Sequence, residues 1–371
     1  MINWVEEVLQ KHFPEQQVTG LEKLNNGHDV LVYRVILMSD DGIESSVIVK
    51  GVSPDCVDEK RAEGEAKFNL EKANYLFLDS QCGFDRYPKI LAFEETVFIV
   101  EDLGKDAHDY PSEMLMQEEV AKTLTQLHLS TRNKHFSYQQ LTLPILQNTA
   151  CEIQYGETQC SEFFNQGKQY LLARLNSERR EVQLQCDLQK VQQAIESIAE
   201  DSAEVTTDAK KEKAESYLGL IHCDSHSRRQ SVHLAEGKMC LLDFEQARYS
   251  HVLLDVAILL LGKFDWDRQA SVYFLNNPFY SKTFISVYKR CREAAAGASS
   301  TLSWNDEMDA ALIYVCIMNI GILNYLSQSF PSVLSQEEWL YRMSQQLLAL
   351  LSVQTCYQAV VSVLSSADEL N

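Results

Sequence analysis

Residues 218–262 read LGLIHCDSHSRRQSVHLAEGKMCLLDFEQARYSHVLLDVAILLLG, and within this stretch three aspartates sit beside apolar runs. Asp224 comes shortly after LGLI, Asp243 follows MCLL and precedes Phe244, and Asp255 leads a continuous apolar segment. An apolar run that ends in a carboxylate reads as a buried strand or turn delivering one charge to the edge of a site. Burying a carboxylate is costly unless something positive meets it, so two of them close together invite a metal ion. Taken singly, each Asp would cap a helix or occupy a turn, the commoner fate of this residue. Taken together, with His222 two residues before the first, they point to a site.

The run IHCDSHSRRQSVHL, followed by LLDFEQAR and then LLDVAILLL, resembles the catalytic core of the aminoglycoside phosphotransferase and choline kinase-like superfamily, relatives of protein kinases. In that family the first motif is His-Gly-Asp with an Asn five residues after the Asp, the second is Asp-Phe-Glu or similar, and the third is an Asp opening a helix. His222, Asp224, Asp243, Phe244, Glu245 and Asp255 stand here in that order. The resemblance implies that Asp224 is the catalytic base, that Asp243 holds magnesium, and that His222 and Asp255 brace the catalytic loop. Phosphoryl transfer asks for little covalent work, so a carboxylate orients the attacking hydroxyl while others hold magnesium on the phosphates.

Two positions depart from the pattern. Cys223 stands where the family has Gly, and Arg229 stands where it has the magnesium-binding Asn. A guanidinium cannot ligate a cation. Three readings stay open: the loop shifts by one so that Gln230 supplies an amide oxygen to the metal, Arg229 itself neutralises phosphate charge, or the site is catalytically dead.

With 33 Lys+Arg against 53 Asp+Glu, the formal net charge is -20. That balance argues against nucleic acid or an anionic membrane as partner, while a cationic substrate would be attracted. The ten cysteines are scattered, without a Cys-x-x-Cys pair, which suits reduced thiols in a cytoplasmic protein. MINWVEEVLQKHF lacks a basic region followed by an apolar core, so no secretory signal is expected, and the longest apolar run, Leu253 to Leu261, is broken by Asp255. The expectation is a soluble protein with no membrane partner. A length of 371 residues allows two or three domain-sized units.

The first residues read as an amphipathic helix with Ile2, Val5, Leu9 and Phe13 on one face. From about Leu21, two β-rich pieces flank Asn25-Asn26-Gly27 as in a hairpin. SSVIVKGV is a further strand carrying Lys50, and a helix is expected from Asp58 to about Leu78. RYPKILAFEETVFIVEDLG gives two strands around a Glu-Glu turn, ending at Gly104. No Gly-x-x-x-x-Gly-Lys-Ser/Thr stretch occurs, which excludes a Walker-type phosphate loop. The resemblance implies that Gly27 lies in the loop over the nucleotide phosphates, that Lys50 anchors those phosphates, and that Glu71, rather than Glu65, holds Lys50. It also implies that Glu101, Asp102 and Leu103 form the linker whose main chain meets the adenine edge.

Beyond Gly104 the pattern is mostly helical. EMLMQEEVAKTLTQLHLSTRN sets Leu115, Val120, Leu124 and Leu127 on one stripe, with His128 as a packing residue or a helix C-terminal charge. Helices are expected at Phe163 to Leu175 and Val182 to Ile198, and a charged loop at Glu200 to Ser216. After Gly262 the chain is expected to be helical again, with ALIYVCIMNIGILNYL and EWLYRMSQQLLALLSVQ as core helices.

The fold class is therefore α+β. By resemblance it is a two-lobed protein kinase-like fold, with a small β-rich N-terminal nucleotide-binding lobe at residues 1–104 and a larger helical catalytic and substrate lobe at 105–371. The implied function is an ATP- and Mg2+-dependent kinase moving the γ-phosphoryl group to a hydroxyl of an amine- or sugar-type small molecule. The alternative is an inactive pseudokinase that binds nucleotide or a partner, suggested by Arg229. A metal-dependent hydrolase using the same carboxylates would need a further His or Asp cluster, which the sequence does not offer.

Overall fold

The computed structural model describes residues 2–24, 30–52, 58–104, 113–146, 159–174, 182, 185–186, 189, 218–223, 232–235, 238–261, 263–267, 272–276, 282–296 and 304–329. These fall into two compact units, each built from segments distant in sequence. The first comprises Met1–His108, Phe136–Ile153 and Arg229–Ala247; the second comprises Asp109–His135, Gln154–Arg228 and Arg248–Asn371.

The first unit opens with helix α1 (Ile2–His12) and strands β1 (Gln16–Lys23), β2 (Val30–Ser39) and β3 (Glu44–Val52). Helix α2 (Asp58–Gln81) then leads to β4 (Ile90–Phe93) and β5 (Val97–Glu101). The five strands form one sheet in the order β1-β2-β3-β5-β4, with every neighbouring pair antiparallel. Strand side chains alternate between faces, and this decides where Lys50 points. Val47 and Val49 join the cluster that buries Val5 and Leu9 of α1 against Tyr33, Val35 and Ile99. Gly51 belongs to the same face, where an added Cβ would come within 2.9 Å of the Trp4 ring. Lys50 therefore faces the other way, level with its cross-strand partner Phe98, whose ring stacks on Phe68 of α2 at 5.1 Å between centroids. The alternation of β3 has placed one lysine on the α2 side of the sheet.

Sequence periodicity anticipates these elements closely. Helix α1, the helix opening at Asp58 and the β4–β5 pair around Glu94 and Glu95 stand where expected, and β1 begins earlier, at Gln16. The Asn25-Asn26-Gly27 turn lies outside the described residues, although β1 and β2 pair across it as the hairpin reading requires. The unit also contains helix His135–Leu146 and the antiparallel pair Val232–Ala235 with Lys238–Leu241.

The second unit is mainly helical, with helices Glu113–Thr131, Gln159–Arg174, Leu253–Leu261, Lys282–Ala296 and Trp304–Ser329. LGLI is the buried strand Leu218–Ile221, paired antiparallel with Arg248–His251. Two expectations need correction. After Gly262 the chain forms a hairpin, Lys263–Asp267 against Val272–Asn276, before it returns to helix. KFDWD is short and alternating and VYFLN is a short, aromatic-rich apolar run, which is strand chemistry overshadowed by the long apolar helices around it. On the Glu113–Thr131 helix the buried stripe is Met116, Val120, Leu124 and Leu127, while Leu115 is 42% exposed. The expected stripe was one residue out at its first turn.

The expected helix at Val182 to Ile198 lies largely outside the described residues. The charged loop at 200–216 and the helix over EWLYRMSQQLLALLSVQ lie wholly outside them. No helix among the described residues is long and apolar enough to cross a membrane.

Candidate active site

Three side chains from distant parts of the first unit meet on the α2 side of the sheet. Lys50 of β3 forms an ion pair with Glu71 of α2, and its Nζ donates to Asp243 Oδ1 at 2.7 Å. Glu65, the other acid considered for Lys50, pairs instead with Arg61 at 3.0 Å, one turn along its own helix. Asp243 leaves the strand Lys238–Leu241 in a left-handed conformation, φ 61°, and starts a short 3-10 turn, Phe244–Gln246. Such a conformation is unfavourable for a residue with a Cβ, and Asp is among the few that tolerate it. The turn buries Phe244 against Tyr75, 5.4 Å between ring centroids, and brings Glu245 to the same side as Asp243. Carboxylate oxygens of Glu71, Asp243 and Glu245 lie within 4.8 Å of one another.

The electrostatics follow from three carboxylates around one ammonium. Burial would lower the Lys50 pKa, but Asp243, Glu71 and Glu245 together hold it well above the usual lysine value. Burial pushes Glu71 up to about 8; Lys50 opposes this, and the charges of Asp243 and Glu245 add to it. The cluster thus carries more negative charge than its one cation balances. A hard divalent cation binds oxygen donors of this kind, so the residues present fit magnesium, with Asp243 and Glu245 the more accessible ligands. Glu245 is the acid that sequence reasoning quoted in its motif but gave no role. The available signal was its spacing, two residues after Asp243 with a buried Phe between them.

At the end of β5, Glu101 donates its N–H to the carbonyl of Lys89 at 2.9 Å. Asp102 accepts from Arg34 Nε at 2.6 Å and Nη2 at 3.2 Å, and from the Gly104 N–H at 2.9 Å. Arg34 closes the ring by donating to the Gly104 carbonyl at 3.0 Å. Burial would raise the Asp102 pKa, but hydrogen bonds from Arg34, Ser46 and Gly104 hold it below the ordinary value. Gly104 has φ 81°, open to glycine and costly for other residues. The main chain of Glu101 and Leu103 is thereby held beside a fixed anchor. Arg34 went unnoticed in the sequence because nothing in its strand distinguishes it from a solvent-facing charge.

The second unit holds the other aspartate. Asp255 is fully buried and accepts from the backbone N–H of His222 and of Cys223, each at 2.7 Å. His128 Nε2 lies 3.0 Å from the same carboxylate, and His128 Nδ1 lies 2.7 Å from the Tyr288 hydroxyl. A neutral ring satisfies both contacts by donating from Nε2 to Asp255 and accepting from Tyr288 at Nδ1. His128 is thus a partner of Asp255 rather than a plain packing residue. Cys223, which stands where the family motif has Gly, has φ 64°, a conformation that favours Gly, and the hydrogen bond from its N–H to Asp255 helps to hold it there. Asp224 and Gln230, together with Arg229 and Gly27, lie outside the described residues.

This buried network has a pH signature. Burial, only partly offset by Asp255, lowers the His128 pKa below its usual value. Burial would raise Asp255, but the hydrogen bond from His128 and that from the His222 backbone bring it below the carboxylate norm. Below about pH 6.5 the unfolded chain therefore takes up a proton at His128 that the folded chain resists, and stability falls with pH. The Asp255 contribution is lost only further down, below about pH 4. Glu71, with its raised pKa, acts in the opposite sense, so the informative quantity is a difference. The gap in thermal midpoint between the wild type and His128→Gln is expected to narrow as pH falls from 7.5 to 5.5 in a buffer series, about one unit either side of the free histidine value. A gap constant over that range would contradict the assignment.

Residues 107–288 match the model of the phosphotransferase enzyme family. Among solved structures, the choline kinase of Cryptosporidium parvum superposes with TM-score 0.53 at 12% identity, covering 98% of this chain and 99% of its own. The ethanolamine kinase of Plasmodium vivax superposes with TM-score 0.52 at 14% identity, covering 96% of this chain and 89% of its own. No curated protein sequence matches the chain. The family match over residues 107–288 and the fold shared with these two kinases agree with the resemblance of residues 218–262 to the aminoglycoside phosphotransferase and choline kinase-like superfamily, related in fold to protein kinases.

Proposed function

We propose that this protein is an ATP- and magnesium-dependent small-molecule kinase that transfers the γ-phosphoryl group to a hydroxyl of an amine- or sugar-type acceptor. The observation that carries the reading is the buried cluster of Lys50, Glu71, Asp243 and Glu245. A buried ammonium held by a carboxylate from the neighbouring helix, beside two further acids, is the arrangement that phosphoryl transfer requires for phosphates and metal. The family match and the choline and ethanolamine kinase folds point the same way.

In this reading the lobes are residues 1–104 and 105–371. Lys50 neutralises phosphate oxygens, and Glu71 fixes its position. Asp243 and Glu245 would hold magnesium, with Gln230 as a further ligand, and the bound ion would supply charge neutralisation on the nucleotide phosphates. Gly27 covers the phosphates, and the backbone of Glu101 and Leu103 meets the adenine edge. Asp224 accepts the hydrogen bond of the acceptor hydroxyl, aims its lone pair at phosphorus, and takes its proton. The net charge of -20 favours a cationic acceptor over nucleic-acid or anionic-membrane partners, and the scattered cysteines favour a cytoplasmic protein.

Calorimetry with MgATP tests the site. Lys50→Met and Asp243→Asn are each expected to weaken MgATP binding by about tenfold or more, since each removes a charge-assisted contact to phosphate or metal. Unchanged affinity in both variants would defeat the nucleotide reading. ATP consumption over a panel of hydroxylated amines and sugars then identifies the acceptor. Binding without transfer to any member would favour the pseudokinase.

A further inference from the structure

Helix α2 makes a second connection to the Asp243–Gln246 segment, one turn beyond Glu71. Asn74 is fully buried, and its Nδ2 donates to two backbone carbonyls, Phe244 at 2.9 Å and Ala247 at 2.8 Å. Its Oδ1 accepts from the Tyr138 hydroxyl at 2.9 Å. Tyr138 comes from helix His135–Leu146, and its ring meets Phe77 edge-on, 5.0 Å between centroids. Both amide hydrogens are spent on the carbonyls of the turn's first residue and of Ala247 just after it, and the tyrosine fixes which way the amide faces. The turn is the part of the chain that needs holding, because Asp243 before it is left-handed and Glu245 within it must share a side with Asp243. Glu71 and Asn74 lie three residues apart on one helix face. One rigid helix therefore sets Lys50 through Glu71 and the two acids through Asn74.

We infer that Asn74, oriented by Tyr138, is a positioning residue that holds Asp243 and Glu245 in the geometry required by the cation. The inference rests on the nucleotide and metal reading given above. It goes further in assigning function to a side chain that touches neither nucleotide nor metal. Partners that orient metal ligands typically change metal affinity by about 10–100-fold when removed.

The test is the ratio of ADP affinities measured calorimetrically with Mn2+ and with EDTA, a quantity that a merely less stable protein would leave unchanged. Asn74→Ala is expected to reduce that ratio by about tenfold, with metal-free ADP affinity within about twofold of wild type. Should Asn74→Ala fail to fold, Tyr138→Phe keeps the ring packing, removes only the hydroxyl, and is expected to reduce the ratio by about threefold, a part of the same effect. Leu312→Ala, a core truncation in the other unit, is the control and should leave the ratio alone. A preserved ratio in Asn74→Ala, or an equal loss in Leu312→Ala, would overturn the inference. Asp243→Asn separates the two levels. If it abolishes the ratio while Asn74→Ala keeps it, only the positioning role fails; if Asp243→Asn also keeps it, the metal reading fails with it.

Discussion

Asn in place of Asp224 is expected to lower kcat by about 10²–10⁴-fold, the range that a positioned general base contributes, while MgATP affinity stays near wild type. The carboxylate is proposed to act on the acceptor hydroxyl, which is absent when nucleotide binds alone. The amide keeps the shape and removes the basic oxygen. This pattern is the reverse of the one expected for Lys50 and Asp243, whose loss should appear first in nucleotide binding. Single-turnover phosphoryl transfer with saturating MgATP reads the chemical step directly, and wild-type-like turnover in Asp224→Asn would remove the residue from catalysis.

Gly321→Ala is expected to be the most destabilising small substitution in the described part of the helical unit. Helices Gln159–Arg174 and Trp304–Ser329 meet backbone to backbone: a Cβ on Gly321 would fall 1.7 Å from the Phe163 carbonyl oxygen, and one on Gly167 would fall 2.0 Å from that of Ile317. No side-chain rotation relieves a clash with main chain, so the helices must separate. Separation weakens the stacking of Phe164 on Tyr314, now at 4.4 Å, and the contact of Phe163 with Tyr325 at 5.6 Å. The cost should be about 3 kcal/mol, the upper part of the range for overpacking a core. Urea unfolding measures it. Gly83→Ala is the comparison, since a Cβ there meets nothing within 4 Å. Equal stability of the two variants would show that the helix pair can give way.

How far the site was legible depended on whether a residue declares itself by chemistry or by placement. Asp243 and Asp255 interrupt apolar runs, where an unexplained charge stands out, and Lys50 closes an alternating strand. Glu71 could be named because the resemblance supplied a partner and the helix supplied the spacing. Arg34, Asn74 and Tyr138 could not be named. Each is an ordinary polar residue on an ordinary element, and its importance comes from a partner 68, 170 or 64 positions away. The hairpin at Lys263–Asp267 was missed for a related reason. Five-residue strands carry little periodic signal when flanked by long apolar helices.

The first unit is completed by chain that is made late. Tyr75 meets Phe244 edge-on, Phe77 meets Tyr138 likewise, and Lys50 finds Asp243 across 193 positions. At a synthesis rate of about 5–20 residues per second, a ribosome that has finished β5 needs about 7–30 seconds to deliver Ala247. During that interval the nascent sheet and α2 hold the Asn74 amide, the Lys50–Glu71 pair and the Tyr75 ring without the partners that later cover them. The unit that is first in sequence is therefore finished only once residues 229–247 have been made, well after its sheet.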